Sequence, residues 1–294
     1  MAKGGAISRR EFLEKAGKLG GAALISSVAG GTAIARELEG ALIMEGLWTG
    51  GTFRQDCVDA AGEAEGTVRA RVDGVWRDFS TIPLPKRFVE WNLDARRQVL
   101  SALSDMAAGR GGTPPSLAGP HNAAMATVGR RREDSILEIN NAFKGMGLCP
   151  ARGIIREKIS MMNGSLRAPM TEKLAFLQDM YADADNFDPT KLISLELYST
   201  PDFETHTFLN LMAEPVTSLV FLDGESYEVR GIGQLVHPDD PEAGDYARSV
   251  VEYTNLAHSY FHGDFPRLFP GILIHVLEVF DNSPGTGRGV PVAN

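Results

Sequence analysis

The chain has 294 residues, with 29 Lys and Arg against 38 Asp and Glu, and a formal net charge of −9. An acidic surface repels phosphate backbones and has no counterion-release term to offer, which argues against nucleic acid as a partner. Hydrophobic residues make up 43% of the sequence and aromatics 8%, a globular balance rather than a disordered one; the two cysteines, with no CxxC or CxxCH spacing, exclude covalent c-type haem and all-cysteine metal sites.

The first 35 residues read as an export signal of the twin-arginine type. Ser8-Arg9-Arg10-Glu11-Phe12-Leu13 precedes an uncharged, Gly- and Ala-rich stretch, Leu19 to Ala35, which ends in the small-x-small triplet Ala33-Ile34-Ala35 before charged Arg36 and Glu37. Cleavage after Ala35 and a periplasmic or other extracytoplasmic location follow from that reading; a retained anchor or a buried N-terminal helix is the alternative. Signals of this class resemble those of proteins carried across a membrane already folded, often with a cofactor, so the export machinery is an expected partner and a redox enzyme an expected cargo.

Residues 36–130 are expected to form an N-terminal extension and linker. Within them Gly66 to Phe79 alternates Val68, Ala70 and Val72 with charged residues around Asp73-Gly74, a hairpin pattern. Leu93 to Ala108 follows with helical spacing, capped by Asn92 or Asp94 and stopped by Gly109. Gly109 to Gly129, rich in Gly and Pro, reads as a loop holding a domain boundary, and Arg130-Arg131-Arg132 as a solvated helix start.

From residue 131 onward the spacing predicts a helix over Glu133 to Phe143 and another over Met170 to Ala182, capped by Thr171. Leu192 to Tyr198 alternates as a strand. Thr217 to Leu222 and Tyr227 to Val236 flank Asp223-Gly224 as a hairpin; Gly231 and Gly233 leave one face of its second strand bare, so a ligand or another backbone approaches there. Pro238 opens a helix running to about His262, and Ile272 to Phe280 is a buried last strand.

Asn210-Leu211, Pro215, Ser218-Leu219-Val220-Phe221, Tyr227-Glu228-Val229-Arg230-Gly231 and Val276-Leu277-Glu278-Val279 follow one another as helix, hairpin and final strand. That order resembles the FMN-binding split β-barrel of the pyridoxamine 5'-phosphate oxidase-like superfamily, over roughly residues 191–281. The resemblance implies an α+β fold, an antiparallel split β-barrel with flanking helices over 131–294 following the N-terminal extension. It also implies a homodimer holding FMN at the subunit interface, acting as an oxidoreductase on a small-molecule substrate. In the family a Ser or Thr, and a Lys, Arg or His two residues later, hold the flavin phosphate; the matching positions here are Thr205 and Thr207, which add no charge. Arg152, Arg156, Lys158 or Arg167 is then the cation to look for. The family's first barrel hairpin is either Gly66 to Phe79 after a long insertion, or divergent.

The cofactor contacts expected are Ser199, Thr205, His206, Thr207 and Asn210, around a helix N-terminus whose free N–H groups attract anions. The competing reading is that Ser199 and Thr200 cap a turn before Pro201. His258 and His262, at i and i+4, suit a metal pair but have no third ligand in sequence. His275, in an apolar strand, is a core histidine or the axial ligand of a haem. Haem handling and cofactor-free binding are therefore the alternatives to FMN chemistry. Cys57 and Cys149 form one disulfide or stay as two buried thiols.

Overall fold

Asp73 and Gly74 both adopt positive φ, 52° and 75°, the pair of left-handed residues that a two-residue turn between twisted strands requires. They join β1 (Thr67–Val72) to β2 (Val75–Ser80), and Val58–Asp59 adds a third short strand. The computed structural model describes residues 46–111, 118–129, 134–263, 265, 267–285 and 289–292. The export signal at 1–35 and Arg130-Arg131-Arg132 lie outside the described residues. No helix among the described residues is long and apolar enough to cross a membrane.

The main sheet is antiparallel throughout. It contains β3 (Asn122–Val128), β4 (Ile139–Gly145), β5 (Gly147–Pro150), β6 (Phe187–Leu195), β7 (Val216–Asp223), β8 (Glu225–Val236) and β9 (Gly271–Asp281), in the order β4-β3-β7-β8-β9-β6-β5, with Val290–Pro291 beside β9. β4 and β5 stand at opposite ends of that order yet are separated in sequence by Met146 alone. One bent strand thus pairs with β3 in its first half and β6 in its second, which curls the sheet into a split barrel. The helices α1 (Lys86–Ala107), α2 (Ile155–Ser165), α3 (Met170–Met180), α4 (His206–Ala213) and α5 (Asp245–His262) flank it, so the architecture is α+β as expected.

Several elements differ from the sequence reading. Glu133 lies outside the described residues, and where the helix was expected over Glu133 to Phe143 the chain from Ile139 onward is strand β4. Its Ile139 and Phe143 are exposed and its Asn140 and Lys144 face inward, so apolar residues that suggested a buried helical stripe belong to a bare sheet face. The loop expected over Gly109 to Gly129 contains β3, whose small residues alternate with buried Ala123, Met125 and Thr127. β3 and β4 form the hairpin that opens the barrel, and Gly66 to Phe79 belongs to the separate three-stranded sheet.

Asn92 does not cap α1. The helix starts after Pro85, and Asn92 is buried inside it, donating from Nδ2 to the Pro120 carbonyl at 3.4 Å. Proline at the N-cap of both α1 and α3 ends the preceding chain in an extended conformation, and for α3 Pro169 replaces the expected Thr171 cap. α2 was not expected; it buries Ile155, Ile159 and Met162. The strand read at Leu192 starts earlier, at Phe187, and ends at Leu195. The helix read from Pro238 begins as a short 3-10 turn at Pro241–Ala243, and α5 follows from Asp245.

One hydrophobic core runs through the barrel and under the helices. α1 is seated on the hairpin β7–β8 by Phe88, whose ring lies 5.2 Å from both Phe221 and Tyr227 in edge-on contacts. The segment before β1 is seated on α4 by Trp48 and Phe53, which pack on Phe208 at 5.5 and 4.9 Å. Gly231 and Gly233 are bare because the chain's own parts crowd them. A Cβ at Gly231 would lie 2.1 Å from the His275 carbonyl oxygen, at a bulge between β8 and β9, and one at Gly233 would lie 2.8 Å from Leu211 Cδ2.

Candidate functional site

After β6 the chain makes a tight turn bridged between Thr200 and Phe203, with the Asp202 N–H donating to Thr200 Oγ1 at 3.3 Å, and then enters α4. Thr205 is the N-cap and its Oγ1 accepts from the Phe208 N–H at 3.1 Å. Ser199, fully buried, accepts from the Thr205 N–H at 3.2 Å and donates to Thr205 Oγ1 at 3.3 Å. The turn and the helix start are therefore held by one hydroxyl pair.

The inward face of α4 meets the first barrel hairpin. Thr207 Oγ1, on a buried residue, accepts from Asn140 Nδ2 of β4 at 2.9 Å. Asn210, also buried, donates from Nδ2 to Thr127 Oγ1 of β3 at 3.2 Å and to the Glu138 carbonyl at 3.3 Å. His206 is half-buried at the surface, with Nε2 3.2 Å from Asp134 Oδ1. Ser199, Thr205, His206, Thr207 and Asn210 are thus brought together at one end of α4. Asn140 and Thr127, which complete the cluster, come from strands that the sequence reading did not recognise, and Asp134 from the turn before β4.

Just below, Lys144 of β4 reaches Glu196, fully buried at the end of β6, at 2.6 Å, and the Tyr198 N–H donates to the other Glu196 oxygen at 3.4 Å. A buried carboxylate needs such partners to offset the loss of its hydration. The cations considered for a phosphate lie elsewhere: Arg152 pairs with Glu63 at 2.9 Å and stacks on Tyr246, and Arg156 lies 3.8 Å from Glu252.

Beside the cluster the outer face of the hairpin is apolar. Phe143 is 81% exposed, and the register places it in one row with Ala124, Val220, Glu228 and Phe280. Ile139 and Val128 face each other in a parallel row, and Ile136 and Leu137 extend the patch toward Asp134.

The histidines divide by burial. His275 is fully buried, its Nε2 3.0 Å from Gln234 Oε1, and burial holds its imidazole down to about 3. His258 and His262 lie 4.5 Å apart between ring centroids with their planes tilted by 48°; burial pushes both below the usual range, His258 to about 3. No group of three His, Cys, Asp or Glu among the described residues is arranged to hold a metal ion. Cys57 and Cys149 are separate buried thiols; burial lifts the first to about 11 and the second further above its ordinary value, which leaves both unreactive at neutral pH.

No family model and no curated protein matches the chain. Among solved structures it is similar to HupZ of Group A Streptococcus, in a form carrying a V5 tag and a hexahistidine tag. That likeness has 16% identity and a TM-score of 0.32, and covers 57% of this chain and 90% of that one. Similarity at that level carries no functional argument; the split-barrel assignment stands on the strand order and register given above.

Proposed function

We propose that the protein is an exported, homodimeric split-barrel protein that binds a flavin, FMN, between two copies and transfers electrons or hydride to a small molecule. The observation that carries this reading is the bare apolar face of β4 and β3 beside the α4 cluster. A monomer rarely leaves rows such as Phe143 with Val220 and Ile139 with Val128 open to water. A second copy laid on that face would bury them and bring its own groups to the end of α4.

A single copy does not fit the FMN phosphate. Ser199, Thr205, Thr207 and Asn210 hydrogen-bond one another, Thr127 and Asn140, and the imidazole at hand, His206, faces Asp134. The charge that a phosphate needs has to come from the second copy under this reading. A cofactor-free binding protein is the second reading, favoured by those same satisfied hydroxyls. Haem is the third; of His206, His258 and His275, His206 has its ring at the surface beside the apolar face, while His275 is fully buried.

Absorption spectroscopy of protein purified from its native host, combined with sedimentation, tests the proposal. Flavin bands on a dimer are expected. A Soret band or a spectrum with neither would overturn the flavin reading, and a monomer carrying exposed Phe143 would overturn the interface. Export is tested by Arg9→Lys with Arg10→Lys, which is expected to leave precursor in the cytoplasm; mature protein starting at Arg36 outside the membrane in that variant would remove the twin-arginine reading.

A further inference from the structure

A cavity of about 290 Å³ lies where β4 bends into β5 at Met146, under α1, α3 and α5. Its lining includes none of the α4 residues, and its size is close to the lower end of small-molecule sites, which span about 300–1,000 Å³. Its walls are mostly apolar: Leu100 and Leu103 of α1, Leu177 of α3, and Ala257 and Phe261 of α5.

Two polar groups in the wall bear on what could enter it, a buried hydroxyl and a guanidinium. Tyr253 is 3% exposed, and its hydroxyl has no hydrogen-bond partner among the described residues. A buried hydroxyl without an acceptor forfeits the hydrogen bond it had in water, and native interiors seldom leave one so. Arg96 is the second. Its Nε donates to Asn92 Oδ1 at 2.6 Å, and Nη2 to the Met146 and Pro120 carbonyls at 2.6 and 3.4 Å, all neutral acceptors. Its guanidinium lies 5.3 Å from the centre of the Tyr181 ring, another wall residue, and the acceptors it meets among the described residues are an amide oxygen and two main-chain carbonyls rather than carboxylates. An apolar chamber walled by an unneutralised cation and an unused buried donor is matched by a ligand with an apolar body and one anionic oxygen head.

We propose that this cavity binds a small apolar carboxylate, its hydrocarbon part against Leu100, Leu103 and Leu177 and its head toward Arg96 and Tyr253. The site does not rest on the flavin reading, since its lining uses none of the α4 residues. Octanoate is the probe, with 1-octanol as the same body lacking the charge.

Calorimetric titration of the full-length protein is expected to give saturable octanoate binding, with 1-octanol weaker by about tenfold or more, as a charge-assisted contact implies. Tyr253→Phe should weaken octanoate about fivefold while leaving the unliganded protein at least as thermally stable, because the variant removes an unsatisfied buried hydroxyl. A purely structural tyrosine would not show that opposition of binding and stability. Leu103→Trp fills the chamber and should abolish binding. Absence of saturable octanoate binding by folded wild-type protein overturns the proposal. So do equal affinities for octanoate and octanol, or unchanged octanoate affinity in Tyr253→Phe.

Discussion

The side-chain oxygen of Gln55 accepts the main-chain N–H of Leu235 at 2.8 Å, joining two residues 180 positions apart. β8 outlasts its partner β7, whose register ends at Val216 opposite Ile232, so the far edge of β8 beyond that point lacks a strand. Gln55 fills the gap from the N-terminal extension. Its Nε2 donates to the carbonyls of Leu211 at 2.7 Å and Gly233 at 3.1 Å, and the side chain is buried.

Gln55→Leu keeps the side-chain bulk but strands the Leu235 N–H and the Gly233 carbonyl away from water, and leaves the Leu211 carbonyl with only the weaker Cys57 thiol donor at 3.4 Å. It should destabilise the fold by about 2–4 kcal/mol, because each orphaned buried group forfeits its hydrogen bond without regaining solvent. Urea unfolding measures it. A midpoint unchanged from wild type would mean that the segment around Gln55 is not docked on β8 in solution.

Gly231 and Gly164 give opposite expectations for the same substitution. At Gly231 an alanine methyl would meet the His275 carbonyl at 2.1 Å, a backbone atom that cannot step aside, so Gly231→Ala should cost at least the roughly 1–3 kcal/mol typical of overpacking. At Gly164, inside α2, nothing lies within 4 Å of an added Cβ. Gly164→Ala should therefore stabilise by about 0.5–1 kcal/mol through helix propensity and lost unfolded-state freedom. Paired thermal melts decide the matter, and equal midpoints for the two variants would contradict the bulge at Gly231.

Gly231 and its neighbour Gly233 also mark how far the sequence could be read. That Gly231 and Gly233 leave room for a close neighbour was legible; that the neighbour is β9's own backbone and Leu211 was not, since a missing side chain does not name what fills its place. The hairpins around Asp73-Gly74 and Gly224, and the last strand, were legible because turn chemistry and alternation agree there. β3 and β4 were not. Asn122 to Val128 is built of residues too small to signal burial, and Ile139 and Phe143 point outward, so hydrophobicity gave the wrong period. The α4 cluster was located by spacing from Pro215, but its partners Asn140 and Thr127 sit on those same two strands and were missed with them.

His275 makes stability depend on pH. Burial, with the Lys191 charge nearby and opposed by Asp188, holds its folded pKa at about 3, below the ordinary 6.5. The unfolded chain thus binds a proton that the folded chain refuses. The stabilising contribution is complete above pH 6.5 and is lost progressively as pH falls toward 3, amounting to about 2 kcal/mol by pH 5. His275→Gln keeps a neutral hydrogen-bonding group next to Gln234 and should flatten that part of the profile, while the slope due to His258 remains because its pKa is depressed in the same direction. Urea midpoints for both proteins between pH 5 and 8 measure the difference; parallel curves would show that His275 is not buried as a neutral ring.

Thr205 and Thr207 decide whether the α4 cluster touches a flavin. Thr205→Val removes the helix cap and Thr207→Val removes the acceptor for Asn140, so each should cost about 1 kcal/mol of stability whether or not a ligand is present. A flavin phosphate at this position would take hydrogen bonds from the same hydroxyls. The double variant should then also lose about 1–3 kcal/mol of FMN binding, beyond its effect on folding. The two effects separate experimentally, because a fluorescence titration at a temperature well below unfolding reads affinity alone. Weaker binding of FMN, with riboflavin affected less, would put the phosphate at the end of α4. Equal FMN affinities in wild type and variant would leave these threonines with a structural role, holding the turn at Thr200 and the first barrel hairpin in place.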